Sequence, residues 1–225
     1  METIYTKFVS FVFVTYFCRM IPELENILER VSCLYRKYGI KSVTMDDVAR
    51  ELGISKKTLY LHFSDKDDLV VKVLNYEAKN RAVEFKKIYD QKLNAIEELL
   101  EVNKLMNHIL REHSTVVDYD LKKYYPEHFA KNQELRRDKM YESVMNNMKK
   151  GKDEGLFRAD LNEEIIAKLH VSRIICITEN PFFSAAELSS PQVFSEIIIY
   201  HIRGIANKNG IKILEENLSK EIYKV

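Results

Sequence analysis

Between Thr44 and Phe63 two short helical patterns meet at Gly53, and this junction restricts the fold more than any other stretch of the chain. Thr44 precedes an apolar-periodic run and can cap it, with Asp46 and Asp47 in the first turn, where the helix dipole favours acids. Met45, Val48, Ala49 and Leu52 fall on one helical face. Ala49 is small enough for another helix to cross closely there. Gly53 follows the last apolar position, where a left-handed residue ends a helix. Ser55 caps the next helix, from which Leu59 and Phe63 point inward. Lys56, Lys57, Thr58, Tyr60 and His62 stay on its outer side or at its exposed start. A tight glycine turn, a small residue at the crossing and a polar, basic outer face are what a helix-turn-helix requires.

The chain has 225 residues, enough for one large or two modest domains. With 46% hydrophobic residues, 6 Gly and 4 Pro, the composition favours a helical protein with a real core and argues against disorder. Net charge is +1, so any basic footprint for nucleic acid must be local. From Arg30 to Tyr60 there are seven basic residues (Arg30, Arg36, Lys37, Lys41, Arg50, Lys56, Lys57) against three acids (Asp46, Asp47, Glu51). The excess sits in and just before the helix-turn-helix. Cys18, Cys33 and Cys176 match neither a disulfide framework nor a zinc site, which fits reduced thiols in a cytoplasmic protein.

Residues 1–20 form an apolar N-terminal extension centred on Phe8–Phe17. It is shorter than the roughly 20 apolar residues that span a bilayer, and Cys18-Arg19-Met20 is not a small-residue cleavage site. Three readings stay open: an apolar arm, an exported leader, or a natural start at Met20. A helix is expected from Pro22 to Gly39, so that residues 21–68 make a three-helix DNA-binding domain. Ser64, followed by Asp65, Asp67 and Asp68, is expected to cap a long helix running to Tyr89 and into a second helical domain over residues 69–225. Further helices are expected over 93–110, 129–148, 162–178 and 190–205, with an irregular stretch from Tyr119 to Pro126. The last two are apolar over more than one stripe and must be covered on both sides. Ile174, Ile177, Ile198 and Ile202 are therefore expected at the interface of a homodimer, as two helices from each subunit.

The run from Tyr38-Gly39-Ile40 through Thr44-Met45-Asp46-Asp47-Val48-Ala49, Leu52-Gly53-Ile54-Ser55-Lys56-Lys57-Thr58-Leu59-Tyr60 and His62-Phe63 to Asp65-Lys66-Asp67-Asp68-Leu69 resembles the TetR family of bacterial transcriptional regulators. Glu154-Gly155-Leu156-Phe157-Arg158-Ala159-Asp160-Leu161 is similar to a segment often seen before that family's dimer helices. The resemblance implies an all-α homodimer with an N-terminal helix-turn-helix domain and a C-terminal effector-binding and dimerisation domain. It implies a repressor released from a palindromic operator on double-stranded DNA by a small-molecule effector. By motif position it implies a DNA-facing set of Thr44, Ser55, Lys56, Lys57, Thr58, Tyr60, His62 and Lys66. Hydroxyls and the tyrosine phenol suit phosphate oxygens, and the lysines add charge or read guanine edges. The chain departs from the pattern at Lys57, where many members have glycine, and in its apolar N-terminal arm.

No glycine-rich phosphate loop, His-Glu-x-x-His or nucleophile elbow occurs in the sequence, so neither catalysis, a metal nor a cofactor is expected. Tyr119, Tyr124, Tyr125 and Phe129 cluster around the irregular stretch, and they are candidates to line an effector pocket or to be ordinary core and surface aromatics. A second functional class is an adaptor that keeps the fold without binding an operator.

Overall fold

In a computed structural model of the chain, residues 24–220 are described apart from 113, 179–181, 185–186 and 188–189. The apolar arm, the alternative start at Met20 and the helix-opening Pro22 lie outside the described residues. Ten helices are described: α1 (Leu24–Tyr38), α2 (Met45–Leu52), α3 (Lys56–Leu59), α4 (Lys66–Tyr89), α5 (Ala95–Arg111), α6 (Thr115–Tyr124), α7 (Pro126–Asp153), α8 (Glu163–Thr178), α9 (Pro191–Ile205) and α10 (Lys208–Ser219). No strand forms among the described residues; a single bridge pairs Phe157 with Ala206. The all-α class is as the sequence implies.

The chain divides into two compact units, residues 1–80 with 114–128, and residues 81–113 with 129–225. In the first unit the core is built from Ile27, Val31 and Tyr35 of α1, Val48 and Leu52 of α2, Leu59, Phe63, and Leu69 and Val73 of α4. Burying such side chains stabilises by about 1.5–3 kcal/mol each, which is why these short helices hold together at all. The ends are set locally. Thr44 and Asp47 form a reciprocal capping box at α2, Gly53 ends it at φ 69°, and the Ser55 hydroxyl accepts from the Thr58 N–H at 3.0 Å. At α4 the capping carboxylate is that of Asp65, which accepts from the Asp68 N–H at 2.8 Å, one residue later than expected from Ser64.

The same unit contains α6, whose residues Tyr119 to Tyr124 are helical where the sequence pattern predicts an irregular stretch from Tyr119 to Pro126. Its Asp120 is buried and accepts the Lys41 N–H at 2.8 Å, and the Ser114 hydroxyl donates to the Arg36 carbonyl at 3.1 Å. These bonds fasten α6 and the residue before it to the end of α1 and the loop that follows.

The second unit has its own core, with Ile96 and Leu100 of α5, Val144 and Met148 of α7, Val171 of α8, Ile198 and Ile202 of α9 and Leu214 of α10. Glu98 is buried beneath it with its charge met. Asn147 donates to it at 2.9 Å and Lys150 pairs with it at 2.6 Å. Where α8 meets α9, the rings of His170 and His201 stack with centroids 3.9 Å apart, and Arg173 donates to His170 Nδ1 at 3.1 Å.

Candidate nucleic-acid interface

Leu59 and Phe63 are almost fully buried, and being four residues apart they fix the rotation of the helical segment that carries them. The segment continues one turn past α3, since the Tyr60 N–H bonds to the Lys56 carbonyl and the His62 and Phe63 N–H groups to the Leu59 carbonyl. Lys56, Lys57, Tyr60 and Leu61 are thereby turned to solvent. Tyr60 is 44% exposed and Leu61 73% exposed.

The expected DNA-facing residues divide into three groups. Lys57 and Tyr60 are exposed, and no hydrogen bond or ion pair engages their side chains among the described residues. Lys56 is exposed too, but Asp46 of α2 holds its ammonium at 2.9 Å, and that hydrogen bond raises the lysine's pKa. Thr44, Ser55 and Thr58 are committed to capping: the Thr44 hydroxyl lies 2.6 Å from Asp47 Oδ2, and those of Ser55 and Thr58 lie 2.7 Å apart. They can still accept contacts from a ligand, but their first task is to shape the helix starts.

His62 and Lys66 stand apart from the rest. The His62 Nε2 atom is buried without a hydrogen-bond partner, so the imidazole tip does not face outward with Tyr60. Lys66 is partly buried, donates to the Lys41 carbonyl at 3.2 Å, and has its pKa lowered first by burial and then by Lys41. Its ammonium ties the start of α4 to the loop before α2, a positioning role rather than a free contact.

The four aromatic residues named as pocket candidates are divided between the two units. Tyr119, Tyr124 and Tyr125 belong to the first unit and Phe129 to the second. Tyr119 and Tyr124 are exposed, and Lys41 and Lys123 lie over the Tyr124 ring at 4.7 and 5.3 Å. Burial and a hydrogen bond to Asp67 push the Tyr125 phenol up to about 12.

The residues expected at a dimer interface differ in burial within the single chain. Ile202 is 0% exposed, Ile177 and Ile198 are buried, and Ile174 is partly buried. Ile198 and Ile202 belong to the core of their own unit. The apolar residues that α8 and α9 leave exposed are Ile165, Leu169 and Tyr200.

Sequence reasoning missed Asp46 as a partner for Lys56, Asp120 as a buried clasp, and the exposure of Leu61. The last was available, because Leu61 lies between Leu59 and Phe63 and must point away from both.

Residues 27–73 match the family described as bacterial regulatory proteins, tetR family. An HTH-type transcriptional regulator of Staphylococcus aureus (strain bovine RF122 / ET3-1) is 36% identical over 70 residues, which is 31% of this chain and 38% of that protein. A second, from strain USA300, is 36% identical over 66 residues, 29% of this chain and 36% of that one. The curated relatives are thus matched over little more than a third of their length. Solved structures extend the likeness of fold. A transcriptional regulator of Cytophaga hutchinsonii superposes with a TM-score of 0.68 at 22% identity, over 82% of this chain and 98% of that one. A regulator of Saccharomonospora viridis in complex with choline gives 0.61 at 21%, over 81% and 96%. Residues 27–73 form a helix-turn-helix domain of the kind that the TetR family's regulators carry.

No helix among the described residues is long and apolar enough to cross a membrane.

Proposed function

We propose that this regulator is a dimeric repressor that binds a palindromic operator through the segment Ser55–Phe63 and leaves it when a small molecule binds the second unit. The observation that carries the reading is the outward trio of Lys56, Lys57 and Tyr60 on a segment whose rotation Leu59 and Phe63 lock. Lysines and a phenol suit phosphate oxygens, and each lysine–phosphate contact releases a counterion. The expected site is an inverted repeat near the regulator's own gene. In a mobility-shift assay on that site, Lys56→Ala and Tyr60→Ala each weaken binding by about ten-fold, and the lysine change lowers the salt slope by about one. Both variants binding as tightly as the parent would remove Ser55–Phe63 from the interface. Release is tested in the same assay, by adding small molecules to the preformed complex.

Dimerisation places two such segments about 34–36 Å apart, the spacing of successive major grooves. The exposed Ile165, Leu169 and Tyr200 support α8 and α9 as the shared face, since a self-complementary apolar patch is what a two-fold contact buries. Light scattering at micromolar concentration is expected to give twice the chain mass, and Leu169→Glu to give the chain mass. A monomeric parent rules the arrangement out.

A further inference from the structure

The outward face of the recognition segment contains one side chain that phosphate cannot explain. Leu61 is 73% exposed, while the other aliphatic and aromatic anchors of the segment, Leu59 and Phe63, are at most 1% exposed. Its direction is not a matter of a loose loop. The Leu61 N–H bonds to the Thr58 carbonyl at 3.1 Å, and the N–H groups of His62 and Phe63 both bond to the Leu59 carbonyl. Lys57 stands four residues before it, on the same helical face, and Tyr60 is its neighbour. A leucine there adds nothing to a contact with phosphate or sugar, and it gains only when it meets apolar surface. In the major groove of B-DNA that surface is the C5-methyl group of thymine.

We propose that Leu61 is a specificity-determining residue that selects thymine at one position of each operator half-site by packing on its C5-methyl. The assignment rests on the DNA-binding reading given above. It divides the labour on the segment: Lys56, Lys57 and Tyr60 hold the duplex, and Leu61 reads it. Lys57, four residues before Leu61 and likewise exposed, supplies charge beside that contact.

The test uses the full chain. The operator is selected from random duplexes, and each thymine in it is then replaced in turn by deoxyuridine, which lacks only the methyl. One thymine per half-site is expected to weaken binding about four-fold on losing its methyl, the loss that goes with one buried methyl-sized group. Leu61→Ala is expected to bind the thymine and uracil duplexes equally, with the salt slope of the parent, because no charge has changed. Leu61→Met, which keeps an apolar reach, is expected to restore the preference. Since Leu61 is exposed, these variants should melt with the parent. An enriched operator with no uracil-sensitive thymine overturns the assignment alone, as does a Leu61→Ala protein that keeps the full preference. A selection that enriches no sequence overturns operator binding itself, and Leu61's role with it.

Discussion

Gly39→Ala is expected to cost the first unit about 2–5 kcal/mol and to abolish tight DNA binding at physiological temperature. Gly39 sits at φ 82°, where an alanine pays about 1–2 kcal/mol for the left-handed backbone. A Cβ there would also stand 2.8 Å from Val116 Cγ1 and 2.9 Å from Asp120 Oδ2, both on α6. Asp120 cannot retreat freely, because it is buried and accepts the Lys41 N–H. Pushing it aside leaves a buried carboxylate without its donor, a loss of about 1–3 kcal/mol. Urea unfolding of the variant measures the sum. Gly39→Asn separates the two causes, since asparagine tolerates the left-handed region but carries the same Cβ. If Asn restores parental stability, the overlap with α6 is not real. If both variants melt with the parent, α6 is not fastened to the loop between α1 and α2.

The contrast between what was legible and what was not follows from sequence distance. The helix-turn-helix could be read because its determinants are local: a cap at Thr44, a left-handed Gly53, a cap at Ser55, and an i, i+4 pair in Leu59 and Phe63. Asp120 could not, because its partner Lys41 lies 79 residues earlier and an aspartate in a polar run looks like solvent-facing chain. Lys66 has the same difficulty. Its motif position suggests a DNA contact, whereas its bond to the Lys41 carbonyl depends on how α4 enters the unit. Helix α9 shows a different limit. An all-round apolar pattern says that both sides are covered and does not say by what. The cover for Ile198 and Ile202 includes α10, whose Leu214 is completely buried in the same core. The pattern alone does not apportion Ile198 and Ile202 between their own domain and a second copy of the chain.

Acidification is expected to destabilise the second unit through His170 and His201 in particular, on top of any general acid effect. Both imidazoles are buried, and burial is the first cause that lowers their pKa values. His170 is brought down to about 4, with Arg173 adding a like charge. His201 is lowered too, by burial and then by His170 and Arg173. The charged group beside both rings is thus a guanidinium, and protonating either ring would place a second cation next to it. Below pH 6.5 the unfolded chain takes up protons that the folded imidazoles refuse, so the unfolded state binds more protons and stability falls with pH. For His170 the loss runs from about pH 6.5 down to about pH 4 and amounts to roughly 3 kcal/mol. Above pH 7 both states hold neutral rings and the contribution is flat. Urea midpoints of the parent and of His170→Asn/His201→Asn, taken at half-unit steps from pH 8 to pH 4, isolate the effect from that of the carboxylates. The two curves should run parallel above pH 7 and converge below pH 6.5, as the parent loses what the variant never had. Parallel curves all the way to pH 4 would mean that the stacked pair is already hydrated in solution and that α8 and α9 are not closed around it.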